Sequence, residues 1–310
     1  MPDDRTRAAA STLTGASSFD AVEPAVRAAP AKLNLGLHVL RRRADGYHDL
    51  DTVFVALPWH DTLTAAPAPD LRLTVEGAGG LPADDSNLVV RAARALAAHT
   101  GVDVPGAAMH LAKHLPHGAG LGGGSSDAAA ALRLLADLWR LDVPDAEMHA
   151  IARTLGADVP FFLDPRPMRA TGIGDVLTPL VDADGDAYAL PYPLVVAVPV
   201  GVPVSTAEAY RLVRADDRDR PDVGAVVASN DLDRWRRELV NDFEAPVVAA
   251  HPPLAALRAA LVDAGAVYVS MSGSGSAFFG VFEAAPAAIG AAEALRVAGH
   301  VVWQGLALAG

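Results

Sequence analysis

Five glycines stand between Gly118 and Gly124, inside the stretch Pro116-His117-Gly118-Ala119-Gly120-Leu121-Gly122-Gly123-Gly124-Ser125-Ser126-Asp127. Residues without a Cβ let the backbone take positive φ and come close to a ligand. Their amides can then converge on one anion. From Ala128 to Trp139 the apolar spacing reads as a helix. A helix N-terminus adds unpaired N–H groups and about half a positive charge. This stretch is therefore expected to cradle a phosphate.

Two further residue types bear on chemistry. Of the 25 basic residues only Lys32 and Lys113 are lysine. Lysine is a compact point charge whose pKa can be tuned, whereas arginine is a permanently charged fork. Either lysine could be an accident of composition, so position must decide. Asparagine is equally scarce, at Asn34, Asn87, Asn230 and Asn241. Asp158 lies in the otherwise apolar Gly156-Ala157-Asp158-Val159-Pro160-Phe161-Phe162, and reads either as a cap or as a placed carboxylate.

The elements that must hold these groups follow from periodicity. Ala31–Leu40 alternates as a strand, which puts Lys32, Asn34, Gly36 and His38 on one face. That face is either the wet side of a sheet or part of a site. Arg41 to His48 makes a basic loop with an Asp-Gly turn, and Asp49–Trp59 and Asp61–Thr64 read as further strands. Asp84-Asp85-Ser86-Asn87 caps a helix that Gly101 ends. Ala107–Leu115 alternates and delivers the chain to the glycine stretch. A helix from Pro144 to Leu155 precedes Asp158. Asp182 to Ala187 is polar and marks a boundary. Beyond it, strands are expected at Leu194–Val198, Ala266–Met271, Ala277–Phe282 and Val301–Ala307. Helices are expected from Ser205-Thr206 and over Asp231–Leu239, Leu254–Val262 and Ala287–Val297.

Composition sets limits. A net charge of −12 is a poor match for nucleic acid or anionic membrane. Cysteine is absent, which excludes disulfides and thiolate chemistry and fits the reducing cytoplasm. The most apolar run, Tyr188–Val204, is interrupted by Pro191, Pro193, Pro199 and Pro203, so no membrane span is expected.

Three common phosphate loops fail on context. A dinucleotide fold needs a strand after the helix and an acid about 20 residues on. A Walker A loop ends in Gly-Lys-Ser/Thr, and a protein-kinase loop leads into a strand. Here helix follows helix. The chain instead resembles the GHMP small-molecule kinases. Within them it resembles the 4-diphosphocytidyl-2-C-methyl-D-erythritol kinase family, on four motifs in order. These are Pro30-Ala31-Lys32-Leu33-Asn34-Leu35 with Arg43-Ala44-Asp45-Gly46-Tyr47-His48, then Pro116–Asp127, Gly156–Phe162 and Met271-Ser272-Gly273-Ser274-Gly275-Ser276.

That resemblance implies an α+β, two-domain GHMP kinase fold. The N-terminal domain would carry a left-handed βαβ crossover and the C-terminal domain would be ferredoxin-like. The expected bounds are a disordered tail over 1–29, an ATP-binding domain over 30–185 and a C-terminal domain over 186–310. The implied reaction moves the γ-phosphoryl group of ATP to the 2-hydroxyl of a cytidyl-methylerythritol substrate in isoprenoid (terpenoid) biosynthesis. Asp158 would be the base and Lys32 its partner. Pro116 to Ser126 would hold the ATP phosphates with Mg²⁺, Ser125 or Ser126 standing nearest the metal. Asn34, Tyr47, His48 and Tyr210 would bind the cytidyl substrate, with Tyr47 and Tyr210 on opposite sides of the cytosine. Gly273, Ser274 and Gly275 would form a second backbone wall. Lys113 is open between a phosphate role and a structural one. Small molecules are the expected partners, with no obligate protein partner. The alternatives are a sister kinase acting on mevalonate, homoserine or a sugar, a non-catalytic nucleotide-binding protein, and a dinucleotide oxidoreductase.

Overall fold

The computed structural model describes residues 24–77, 80–101, 103, 105–216 and 219–309. Its first half is built on two long antiparallel strands, β1 (Ala25–Arg42) and β2 (His48–Pro67). Strand β1 begins at Ala25, so the expected disordered tail is wrong for Ala25–Ala29, where pairing with Asp61–Ala65 orders the backbone. The remainder of that tail, 1–23, lies outside the described residues. The two strands expected over Asp49–Thr64 are one. The register jumps from Pro30↔His60 to Ala31↔Leu57, so Pro58 and Trp59 bulge out without ending the strand.

A second register jump, between Leu35 and Leu37, skips Gly36. Gly36 has φ 68°, and a Cβ there would fall 2.5 Å from Leu239 Cδ1, so only glycine fits. Side chains alternate along a strand until such a bulge resets the count. Lys32 and Asn34 therefore share a face with Leu37, and His38 turns away toward Asp51, Arg220 and Asp242. This corrects the expected face of Lys32, Asn34, Gly36 and His38. Nor is that face wet: Lys32, Asn34 and His38 are all buried.

The first sheet is completed by β3 (Leu71–Glu76), β4 (Ala107–Ala112), β5 (Met168–Gly172) and β6 (Val176–Pro179). Its order is β3-β4-β2-β5-β6, with β1 also on β2. Only β3 and β4 pair in parallel, and helix α1 (Leu88–Thr100) crosses between them. Asn87 Oδ1 accepts from Val89 N at the start of α1, and Gly101 ends it with φ 69°, as the sequence predicts. Helices α2 (Gly123–Trp139) and α3 (Asp145–Leu155) and the 3₁₀ turn Val159–Leu163 join α1 in one apolar core with this sheet. Helix α2 starts at Gly123, not at Ala128, so Ser125, Ser126 and Asp127 sit in its first turns.

The expected boundary falls in the connection between β6 and β7 (Leu194–Val198). Five helices follow: α4 (Thr206–Leu212), α5 (Val223–Ala228), α6 (Leu232–Glu238), α7 (Glu244–Ala250) and α8 (Pro252–Asp263). Strands β8 (Tyr268–Met271) and β9 (Phe278–Val281), helix α9 (Ala285–Val297) and strand β10 (Val301–Gly305) complete the chain. The second sheet has the order β10-β7-β9-β8 and every pair is antiparallel, the split βαβ arrangement expected of a ferredoxin-like unit. Helices α5 and α7 were not expected from the sequence.

The two sheets do not stand apart. A single apolar cluster takes Leu33 and Val55 from the first, Val196 and Phe279 from the second, and Leu121 from the glycine stretch. Trp235, fully buried in it, donates from Nε1 to Val226 O at 2.8 Å. Backbone bonds from Leu37 N to Val240 O (2.8 Å) and from Asp242 N to Leu37 O (2.9 Å) add a direct seam at the Gly36 bulge. The site residues from both halves are thus held in one packed body.

Candidate functional site

A cavity of about 700 Å³ opens where the glycine stretch, β1, the 3₁₀ turn and the β8–β9 turn meet. Nearly every residue singled out in the sequence lines it. Lys32, Asn34, Tyr47, His48, Pro116 through Ser125, Asp158, Tyr210, Gly273 and Ser274 all do. Ser126 and Gly275 do not.

The glycine stretch is clamped from both sides. Leu121 O accepts from Lys32 N (2.9 Å), Gly120 O from Ser272 Oγ (2.9 Å) and Ala119 O from Ala277 N (3.0 Å). Three successive carbonyls are thus turned into protein walls. The first N–H groups of α2, which begins one residue after Gly122, have no intrahelical acceptor and remain for a ligand. Close packing explains the glycines. At Gly120, with φ 77°, a Cβ would lie 2.1 Å from Ser272 O. At Gly122, with φ 72°, it would lie 2.7 Å from Phe162 Cζ and 3.0 Å from Lys32 Cγ.

Lys32 and Asp158 meet at 3.6 Å, Nζ to Oδ2, across the floor of the cavity. The ammonium is buried and the carboxylate is 34% exposed, so the carboxylate faces incoming ligand. Asp158 precedes the 3₁₀ turn but makes no side-chain capping bond, which removes the simple reading of it as a cap. Burial lowers the Lys32 pKa, and the neighbouring Asp158 opposes that shift. Lys32 Nζ also donates to Asn34 Oδ1 at 2.5 Å and stands 5.0 Å from the centre of the Phe54 ring, a cation–π contact.

Lys113 has a different fate. Its Nζ donates to Asp61 and, at 2.6 Å, to Asp127 Oδ2, and all three side chains are buried. Asp61 Oδ1 also accepts from His114 N (2.6 Å) and Leu115 N (2.8 Å). Burial pushes the Asp127 pKa up to about 7 against the pull of Lys113. Of the two readings of Lys113, the structural one fits: the triad ties β2 and the end of β4 to the first turn of α2. In that turn the Ser126 Oγ is buried without a partner, whereas Ser125 faces the cavity.

At the other end, His48 stacks on Tyr210 with ring centres 5.0 Å apart and planes at 22°. Tyr210 meets Phe243 edge to face at 4.9 Å. His48 is thus the ring in direct contact with Tyr210, and Tyr47 and Tyr210 line the same cavity. Consecutive side chains after the Asp-Gly turn diverge, so His48 turns in to Tyr210 while Tyr47 stays 60% exposed at the rim. Burial and the Asp158 charge push the Tyr210 pKa up to about 12, which keeps its hydroxyl protonated.

A family model described as GHMP kinases N terminal domain matches residues 87–164, and one described as GHMP kinases C terminal matches 224–299. A 4-diphosphocytidyl-2-C-methyl-D-erythritol kinase of Salinibacter ruber is 51% identical over 275 residues, 88% of this chain and 95% of the relative. The chain belongs to the 4-diphosphocytidyl-2-C-methyl-D-erythritol kinase family. A second member, from Porphyromonas gingivalis, is 42% identical over 83% of this chain and 91% of its own length. A crystal structure of a 4-(cytidine 5'-diphospho)-2C-methyl-D-erythritol kinase superposes with a TM-score of 0.75 at 41% identity, covering 92% of this chain and all of that one. A homoserine kinase from Cytophaga hutchinsonii, at 18% identity and TM-score 0.66, shares the fold.

Several residues that shape the cavity of this family member were not legible as such. Asn241 is buried and donates to both Met271 O (2.7 Å) and Gly273 O (2.8 Å), while its Oδ1 accepts from Phe243 N at 3.0 Å. It fastens the β8–β9 turn to the connection between α6 and α7. The scarcity of asparagine was the available signal for it. Thr52 and Phe54, on β2, reach the Lys32 side of the cavity. Nothing in an apolar strand distinguishes them.

The clamp makes a test. Gly120→Ala has neither room for its Cβ nor an easy φ, so the loop must move away from Ser272. Calorimetry is expected to show nucleotide affinity falling by roughly tenfold or more, a cost of about 1–3 kcal/mol. Affinity for a ligand held at the Tyr47–His48 end should change far less.

Proposed function

We propose that this protein phosphorylates the 2-hydroxyl of 4-diphosphocytidyl-2-C-methyl-D-erythritol at the expense of ATP, within the methylerythritol phosphate route to isopentenyl diphosphate. The observation that carries the reading is the Lys32–Asp158 pair, 3.6 Å apart, at the point where the glycine stretch and the Tyr47–His48 end of one cavity meet. Identity of 51% to a named member of the family supports the choice of alcohol.

The geometry supports a division of labour. The α2 N-terminus and the glycine stretch take the ATP phosphates, because their amides supply local positive potential in a chain of net charge −12. The cytidyl end of the acceptor lies toward Tyr47, His48 and Tyr210, with Tyr47 closing over the base from the rim. Its hydroxyl then reaches Asp158. A tertiary alcohol is a weak nucleophile, so positioning and charge stabilisation carry most of the rate. Asp158 accepts the hydroxyl proton as the oxygen attacks the γ-phosphorus, and the bond from that phosphorus to the ADP oxygen breaks so that ADP leaves. Lys32 sits 3.6 Å from the Asp158 carboxylate and offsets charge on the moving phosphoryl group.

Mg²⁺ completes the reading. Among the described residues no cluster of three or more His, Cys, Asp or Glu could hold a metal. That suits Mg²⁺, which keeps several waters and binds largely through substrate phosphates. Ser125 offers one hard oxygen on the cavity wall and is the better of the two serine candidates, since Ser126 does not reach the cavity. Bound there, Mg²⁺ would neutralise phosphate charge. Among the described residues no helix is long and apolar enough to cross a membrane, and a cytoplasmic location is the reading we adopt.

A sister kinase of the same fold is the second reading, favoured only by fold likeness at 12–19% identity. ADP release measured across the cytidyl alcohol, mevalonate and homoserine separates the two. Turnover of the cytidyl alcohol is expected to exceed the others by orders of magnitude, and a preference for either of the others would overturn the assignment. Asp158→Asn should fold and bind both ligands yet lose roughly 10²–10⁴-fold in kcat. Parental turnover in that variant would remove Asp158 as the base. Lys32→Arg keeps the charge but not the shape, and a planar fork cannot reproduce the point contacts of Lys32 Nζ with Asp158 and Asn34. At least a roughly hundredfold loss in kcat is expected, and near-parental kinetics would leave Lys32 a packing role only.

A further inference from the structure

Lys32 is held not only by Asp158 but by a chain of side chains running back into the sheet. Its Nζ donates to Asn34 Oδ1 (2.5 Å), Asn34 Nδ2 donates to Thr52 Oγ1 (3.0 Å), and Thr52 Oγ1 donates to Gly36 O (2.5 Å). Every member is buried, with Thr52 only 1% and Asn34 2% exposed. Water is therefore a poor substitute for any missing link.

The direction of each bond in this chain is determined by chemistry. Gly36 O is a carbonyl and can only accept, so the single hydroxyl proton of Thr52 goes to it. Thr52 Oγ1 is then left with lone pairs toward Asn34, and only the NH₂ half of that amide can meet them. The amide oxygen is thereby turned to Lys32. The opposite amide orientation would set two N–H donors against the ammonium. Gly36 is the bulge residue of β1, and its neighbours Leu35 and Leu37 pair with Val53 and Thr52 across the ladder. The bulge is thus where the chain of bonds is anchored to backbone.

We propose that Thr52 is a positioning residue for the phosphoryl-transfer site: its hydroxyl fixes the orientation of the Asn34 amide, which in turn holds the Lys32 ammonium beside Asp158. This deepens the kinase reading and rests on it for its catalytic consequence. The positioning itself is a property of the free protein. Asn34, expected from the sequence to bind substrate, is on this account engaged through its oxygen with Lys32.

Burial already works against the charge on Lys32. Two acceptors oppose that, the Asp158 carboxylate and the Asn34 oxygen. The titratable groups around the ammonium are few. Asp158 faces it from the 3₁₀ turn, and Phe54 on β2 and Gly273 on the β8–β9 turn present no titratable group. Tyr210 on α4 stands near Asp158 and stays protonated, His48 lies against Tyr210, and Lys113 is committed to Asp61 and Asp127. Loosening the Asn34 amide removes one of two supports for the charged form, so the Lys32 midpoint must fall.

The composition provides a clean readout. With Lys32 and Lys113 the only lysines, protein labelled with ¹³C at lysine Cε gives two side-chain signals, which Lys32→Arg assigns. In Thr52→Val the Lys32 midpoint is expected to drop by roughly one pH unit, the scale of a weakened hydrogen bond to a charged group. The Lys113 signal should stay in place and report an intact fold. Thr52→Ser keeps the hydroxyl and should restore the parental midpoint. In the same series the basic limb of the kcat–pH profile should move down with the Lys32 midpoint, while KM for ATP stays within about twofold. An unmoved Lys32 midpoint in Thr52→Val with Lys113 unchanged would overturn the proposal. So would a Thr52→Ser protein that shifts as far as Thr52→Val. If Thr52→Val displaces the Lys113 signal, Thr52→Ala replaces it under the same criteria. Absence of ADP release from the parent with the cytidyl alcohol would count against the kinase reading and leave the titration result standing.

Discussion

A buried ammonium without partners would cost more than a domain of this kind can spare. Lys32 is such a group, and much of the architecture around it supplies what it needs. Asp158 arrives from the 3₁₀ turn after α3, and Asn34 from two residues along the same strand. Phe54 offers its ring face from β2. The backbone N–H of Lys32 itself is spent on Leu121 O, which draws the glycine stretch against β1. One residue thus links the charge pair to the glycine stretch. Movement of β1 relative to α2 would disturb both together.

The second constraint is closeness. The cradle works only if the wall formed by the β8–β9 turn can approach to hydrogen-bonding distance of the Gly120 carbonyl, and a side chain on Gly120 forbids that. Asn241 holds the turn from behind, and the apolar cluster shared by the two sheets keeps the halves together. Local positive potential is assembled here from amides, one helix end and Lys32 in an acidic chain. Lys113 contributes little to it, being neutralised by two carboxylates. Its contacts tie β2 and the end of β4 to α2 at the edge of the cavity.

How much of this could be read from the chain depended on whether a residue type was forced. The glycines at 120 and 122 were legible because no other residue fits those contacts. Asp158 and Lys32 were legible because each departed from its surroundings, an acid in apolar sequence and a lysine in an arginine chain. The Asn87 cap and the Gly101 stop were read correctly for the same reason, since both are local hydrogen-bond and φ requirements. The strand face was misread. One unpaired residue at Gly36 reverses the alternation, and a bulge has no signature in a single sequence beyond a glycine. That His48 rests on Tyr210 was not legible, because it depends on the path of the chain after the Asp-Gly turn.

The sequence by itself determined the kind of chemistry to expect, a phosphate held by backbone amides beside a lysine and an acid, because those demands act through residue type and short-range spacing. Only the tertiary structure decided that Lys113 is locked in a buried triad with Asp61 and Asp127. It also decided that the Asn34 amide is turned by Thr52. These outcomes rest on contacts between residues far apart in the chain, such as Lys113 with Asp61, Lys32 with Asp158 and Asn241 with Gly273. Their distances are set by how two sheets pack, and no local pattern carries that information.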